Sequence, residues 1–129
     1  MTLLSANNLV LSLLDLERFE EVRSLLREMM PVAQRVLGES NSLTLKLRRI
    51  YAQALYRDPG ATLDDLREAV TTLEEIERTA RRVLGGAHPV TVSVEGALQL
   101  ARESLRARES TGDVESLRAA VEAMAPGDA

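Results

Sequence analysis

The stretch Arg35-Val36-Leu37-Gly38-Glu39-Ser40-Asn41-Ser42-Leu43-Thr44 returns as Arg82-Val83-Leu84-Gly85-Gly86-Ala87-His88-Pro89-Val90-Thr91, an interval of 47 residues from Arg35 to Arg82. Both copies open on Arg-Val-Leu-Gly and close on Thr. Each reads as the end of one helix and the start of another. Gly38 and Gly85 follow apolar helical runs, where glycine readily supplies the left-handed backbone that terminates a helix. Pro89 suits the first turn of the next helix, since its missing N–H would find no intrahelical partner there. A junction that recurs at a fixed interval points to a repeat architecture.

Working outward, weaker turn signals lie at Asp15-Leu16-Glu17-Arg18, Asp58-Pro59-Gly60-Ala61 and Ser110-Thr111-Gly112-Asp113. Together with the junctions they predict six helices, roughly 2–15, 18–37, 43–57, 62–84, 89–109 and 113–124, forming three hairpins at about 2–38, 42–85 and 89–124. Leu63, Leu66, Ala69, Val70, Leu73 and Ile76 recur at three- and four-residue steps and make one apolar stripe; Arg67, Glu68, Glu75 and Arg78 occupy the opposite face. Helix 18–37 carries a similar stripe from Phe19 to Leu37, with Pro31 inside it, where a missing backbone bond should bend the helix. The repeat domain is expected over 1–125. Ala125-Pro126-Gly127 stops the last helix and leaves 126–129 as a frayed tail.

Composition agrees with an all-helical chain. The 129 residues make one domain. Leu, Ala, Glu and Arg dominate and aromatics are only 2%, a balance that favours helix over sheet. The 16 basic and 20 acidic residues leave a net charge of −4. The two signs are interspersed along helix faces, so neither nucleic acid nor an anionic membrane is the expected partner. Without cysteine there is no disulfide, no thiolate nucleophile and no Cys-based zinc site, and the fold rests on packing. The apolar run from Leu9 to Leu16 is far shorter than the ~20 residues that cross a bilayer, and no basic leader precedes it. No membrane insertion and a cytoplasmic location are expected.

At this point the residues resemble the tetratricopeptide repeats of kinesin light chains and their relatives, whose repeat runs about 42 residues against the usual ~34. That family's junction reads Val-Leu-Gly, an acidic residue, His-Pro and then Thr. Val83-Leu84-Gly85 with His88-Pro89 and Thr91 is similar, while the earlier junction has Asn41-Ser42 in place of His-Pro. Asn7-Asn8-Leu9 and Arg18-Phe19-Glu20-Glu21-Val22 resemble the family's first helix and its turn. The resemblance implies a right-handed α-solenoid whose hairpins bury their apolar faces on one another, leaving a concave groove lined by the first helix of each pair. A five-residue insertion between Asp58 and Thr62 should be a longer surface turn.

By the same resemblance the groove-facing residues are Leu4, Asn7 and Leu11 on the first helix, Lys46, Arg49 and Gln53 on the third, and Ser93 and Leu100 on the fifth. Lys46 is the only lysine and lies one turn from Arg49. Either the two form a basic patch that attracts a carboxylate-bearing peptide despite the acidic total, or they are ordinary solvated charges. The amide of Asn7 suits either a peptide backbone or a local capping role.

The chemistry of an enzyme is not legible. His88, the only histidine, sits beside Pro89 at a junction and reads as structural. The neighbours Glu20-Glu21, Asp64-Asp65 and Glu74-Glu75 diverge by about 100° on a helix and share no site. There is no phosphate loop, nucleophile elbow or zinc spacing. No cofactor or metal is expected.

The leading expectation is a non-enzymatic scaffold or adaptor that binds a protein or peptide in its groove. The alternative starts from the first helix, which carries leucines on too many sides for a single stripe. It is a subunit that joins a homo-oligomer or larger complex through Leu3, Leu4, Leu11 and Leu14.

Overall fold

The computed structural model describes residues 2–124. It contains five helices, α1 Leu3–Asp15, α2 Phe19–Leu37, α3 Ser42–Tyr56, α4 Leu63–Leu84 and α5 Pro89–Met124, and no strand among the described residues. The all-α repeat stack expected from the sequence is therefore present, and the first four helices fall within one or two residues of their expected bounds. The tail expected at 126–129 lies outside the described residues.

The helix count differs. Residues 89–124 run as one helix of 36 residues, so the turn expected at Ser110–Asp113 is not made, and five helices replace six. A single glycine in a helix interior costs only about 1 kcal/mol relative to alanine. No described side chain beyond residue 105 is buried, so no packing compensates a chain reversal. The Thr111 hydroxyl donates back to the Ala107 carbonyl at 2.9 Å, which fits a helix that continues.

The other ends are defined by local chemistry. Thr2, Asn41 and Thr62 cap α1, α3 and α4 by accepting the N–H groups of Ser5, Leu43 and Asp65, each satisfying a donor that the first turn leaves unpaired. Asp65 returns the favour to the Thr62 N–H at 3.0 Å and closes a capping box. Gly38 and Gly85 end α2 and α4 at φ +89° and +91°. Their ψ angles of 158° and 155° are extended, so the left-handed helical cap expected from the sequence is replaced by a conformation that only glycine enters readily.

The two hairpins turn differently. The first needs only three residues, with Glu17 at φ +60°. The second is the expected longer turn. Its Asp58 carboxylate accepts from the Gly60 N–H at 2.8 Å and pairs with Arg23 of α2 at 3.1 Å. The Gly60 bond first, and then Arg23, hold Asp58 below the usual carboxylate range.

Two apolar clusters form the core. Val10, Leu14, Val22, Leu26, Leu47 and Ile50 join α1, α2 and α3. Leu45, Leu66, Leu73, Ile76, Val94 and Ala101 join α3, α4 and α5. Helix α3 feeds both, and Tyr51 packs against each, so the hairpins share a continuous interior. Successive helices pack side by side, α1 also touches α3, and α3 also touches α5. Among the described residues α2 and α4 do not meet. The odd-numbered helices are thus the crowded layer and the even-numbered ones the splayed layer, so the stack curves around its odd-numbered side.

Candidate partner-binding groove

The inner side of the curve is carried by α3, the helix with neighbours on both flanks. Its core-facing residues leave one line open: Ser42, Lys46, Arg49, Gln53 and Arg57, at three- and four-residue steps. Four of these are cationic or amide side chains. Their exposure rises from half-buried Lys46, Arg49 and Gln53 to open Arg57 at the helix end.

Arg49 is the focus. Its Nη1 donates to the Ser93 hydroxyl of α5, so the structure brings together two of the expected groove residues, which lie 44 positions apart. Its Nε is buried and has no partner, and no carboxylate pairs with it among the described residues. Burial lowers the Arg49 pKa from its ordinary value and Tyr56 opposes that shift; the guanidinium stays a cation. A half-desolvated, unpaired cation is costly in a folded chain and is a ready receptor for an anion.

The seam between α3 and α5 continues beyond Arg49 into a notch of about 310 Å³ that includes Tyr56, Arg57, Ser104 and Arg108 in its lining. The Tyr56 hydroxyl is buried without a partner, and burial raises its pKa. Arg108 donates to the Ala61 carbonyl at 2.8 Å. Asp58, the acid in this notch, is already engaged by Gly60 and Arg23. The open cations of the seam are thus Lys46 and Arg49, since Arg57 lies over the Phe19 ring of α2. Tyr56 and Arg108 were not among the residues the sequence singled out.

The remaining expected residues are dispersed. Asn7 is 8% exposed, with its Oδ1 buried and unpartnered. Leu11 is half-buried against the first core cluster, as is Leu3. Leu14 is part of that core at 3% exposure, because it follows Ala6 and Val10 along the face turned toward α2 and α3. Leu4 is open at 63%. The exposed positions of α1 are Leu4, Ser5, Asn8, Leu9, Ser12 and Asp15, so polar residues and two leucines share its outward side.

The residues that invited catalytic readings have structural partners. His88 Nδ1 accepts the Val90 N–H at 3.1 Å and so caps the start of α5. Glu74 pairs with Arg102 of α5 and its neighbour Glu75 with Arg48 of α3, so adjacent carboxylates do diverge to opposite neighbours. Among the described residues no group of histidine, aspartate and glutamate side chains is arranged to hold a metal ion, and no helix is long and apolar enough to cross a membrane.

Compared with known families, residues 2–42 match the family model for the tetratricopeptide repeat, a span that holds α1, α2 and most of the first junction. The match supports a tetratricopeptide repeat protein, a class whose repeats mediate protein–protein interactions. No curated protein and no solved structure matches the chain.

Proposed function

We propose that this protein is a non-catalytic interaction module, a scaffold or adaptor that receives an extended acidic peptide along the seam between α3 and α5. The observation that carries this reading is Arg49, half-buried on the inner side, bonded to the Ser93 hydroxyl and with no carboxylate partner among the described residues. Arg49 and Arg57 lie eight residues apart on one helix, which is about 12 Å. Arg57 is engaged over the Phe19 ring of α2, 5.8 Å from its centroid, whereas Lys46 lies one turn before Arg49 on the same line of α3, so an acidic side chain held at Arg49 also meets the field of the lysine. The second junction, Val83 to Thr91, supports placing the repeat with the kinesin light chain type.

Peptide display against the folded chain, followed by fluorescence anisotropy of the selected sequences, tests the reading. Acidic peptides should be enriched and their affinity should fall with added salt. Arg49→Gln should weaken binding by roughly ten- to a hundredfold, the worth of a charge-assisted hydrogen bond. Arg48→Gln should have little effect, because Arg48 turns toward α4 and pairs with Glu75. Enrichment of neutral peptides, or equal affinity for the Arg49 variant, would remove the basis for the proposal.

A further inference from the structure

The two ends of α5 present opposite apolar faces. Val90, Val94, Ala97, Leu98 and Ala101 turn into the stack and are buried. From residue 106 onward every described side chain is exposed, yet the sequence does not become polar. Val114, Leu117, Val121 and Met124 stand 54%, 66%, 64% and 80% exposed, at steps of three, four and three residues. At about 100° per residue these four make one stripe, about half a turn around the helix from Val94 and Ala101. The stripe extends an outward line that begins at Gly96 and passes Leu100, 53% exposed, and Ala107. A largely apolar line of this kind, with four large exposed side chains at its end, marks an interaction surface.

The helix itself decides what covers the stripe. A straight α5 of 36 residues is about 54 Å long, and Leu100 and Val121 lie about 31 Å apart along it. The stripe therefore cannot fold onto the outward line of its own chain without breaking the helix. A second copy meets it with no such change. Laid antiparallel, with a two-fold axis between Ser110 and Thr111, residues equidistant from the axis come opposite each other. Val114 then faces Ala107 and Val121 faces Leu100. Met124 comes opposite Ala97, beside Gly96, where a Cβ would meet no atom within 4 Å. Arg118 faces Glu103, an acidic residue set in the outward line. Apolar side chains meet apolar ones, opposite charges meet, and the symmetry makes each contact twice.

We infer that the protein dimerises by antiparallel pairing of the outer faces of α5. The pairing line follows Ser93, Gly96 and Leu100 along α5 and so borders the α3–α5 seam, but the pairing rests on the stripe alone and not on the peptide reading.

The test uses the full chain, which has no cysteine. Light scattering at tens of micromolar should give twice the 14.2 kDa chain mass, and Ser110→Cys should form a covalent dimer under mild oxidation. Leu117→Glu with Val121→Glu should raise the dissociation constant at least a hundredfold. Both sites are exposed and glutamate is a good helix former, so the thermal unfolding of the stack serves as a control for folding. A wild-type chain that stays monomeric at hundreds of micromolar overturns the inference, as does a dimer indifferent to the two glutamates. Spin labels on Leu100→Cys/Val121→Cys separate the remaining case: a monomer whose labels lie about 10 Å apart has folded α5 back on itself and contradicts the pairing.

Discussion

Asn41 and His88 occupy equivalent places in the two junctions, three residues after Gly38 and Gly85. The Asn41 Oδ1 accepts the Leu43 N–H at 2.9 Å; the His88 Nδ1 accepts the Val90 N–H at 3.1 Å. Three residues further on, Thr44 and Thr91 are each fully buried. The Thr44 hydroxyl donates to the Ala33 carbonyl at the limit of bonding, 3.5 Å, whereas the Thr91 hydroxyl has no partner. The repeat thus demands a glycine at positive φ, an acceptor for the new helix and a small β-branched residue beneath it. It does not demand one particular acceptor, which is why the first junction works without His-Pro.

That comparison can be broken at three depths. Leu26 belongs to the first core cluster and Leu73 to the second, and both are fully buried. Leu26→Ala and Leu73→Ala should each cost ~2–5 kcal/mol, read by urea unfolding. Because α3 joins both clusters, each variant should unfold in one transition; two separate transitions in either would show that the hairpins are not one cooperative unit.

Gly38→Ala and Gly85→Ala should each cost about 1–3 kcal/mol, and by similar amounts. A Cβ at either position meets nothing within 4 Å, so the loss comes from backbone conformation alone. A clear inequality between the two, measured by the same unfolding curves, would mean the junctions are not equivalent.

The smallest effect separates the threonines. Thr91→Val removes a buried hydroxyl that bonds to nothing and should be neutral or stabilising by up to about 1 kcal/mol. Thr44→Val breaks a bond and should cost about 1 kcal/mol. Equal thermal shifts in the two variants would show that the 3.5 Å contact contributes nothing.

Much of this fold was legible because its signals are local. Glycines after apolar runs, and leucines at three- and four-residue steps, placed four helices closely. Ser110-Thr111-Gly112-Asp113 misled for a physical reason: turn residues permit a reversal but do not compel one, and nothing packs there to favour it. Leucines around α1 suggested an unpartnered face; Leu14 is core, Leu3 and Leu11 are half-buried, and Leu4 and Leu9 stand exposed beside Ser5, Asn8 and Ser12. In the groove, Arg49 and Ser93 could be placed on facing helices by repeat spacing. Tyr56 was also within reach, three residues beyond Gln53 on the same helix. Arg108 was not, since its partner Ala61 lies 47 residues away and no pattern in the chain connects them.

The most direct test of the groove is nuclear magnetic resonance of the labelled chain titrated with a selected acidic peptide. The largest shifts should fall on Lys46, Arg49, Gln53 and Tyr56 of α3 and on Ser93 and Ser104 of α5, with the outer faces of α2 and α4 unchanged. Shifts concentrated on α2 and α4, or none along α3, would contradict the account.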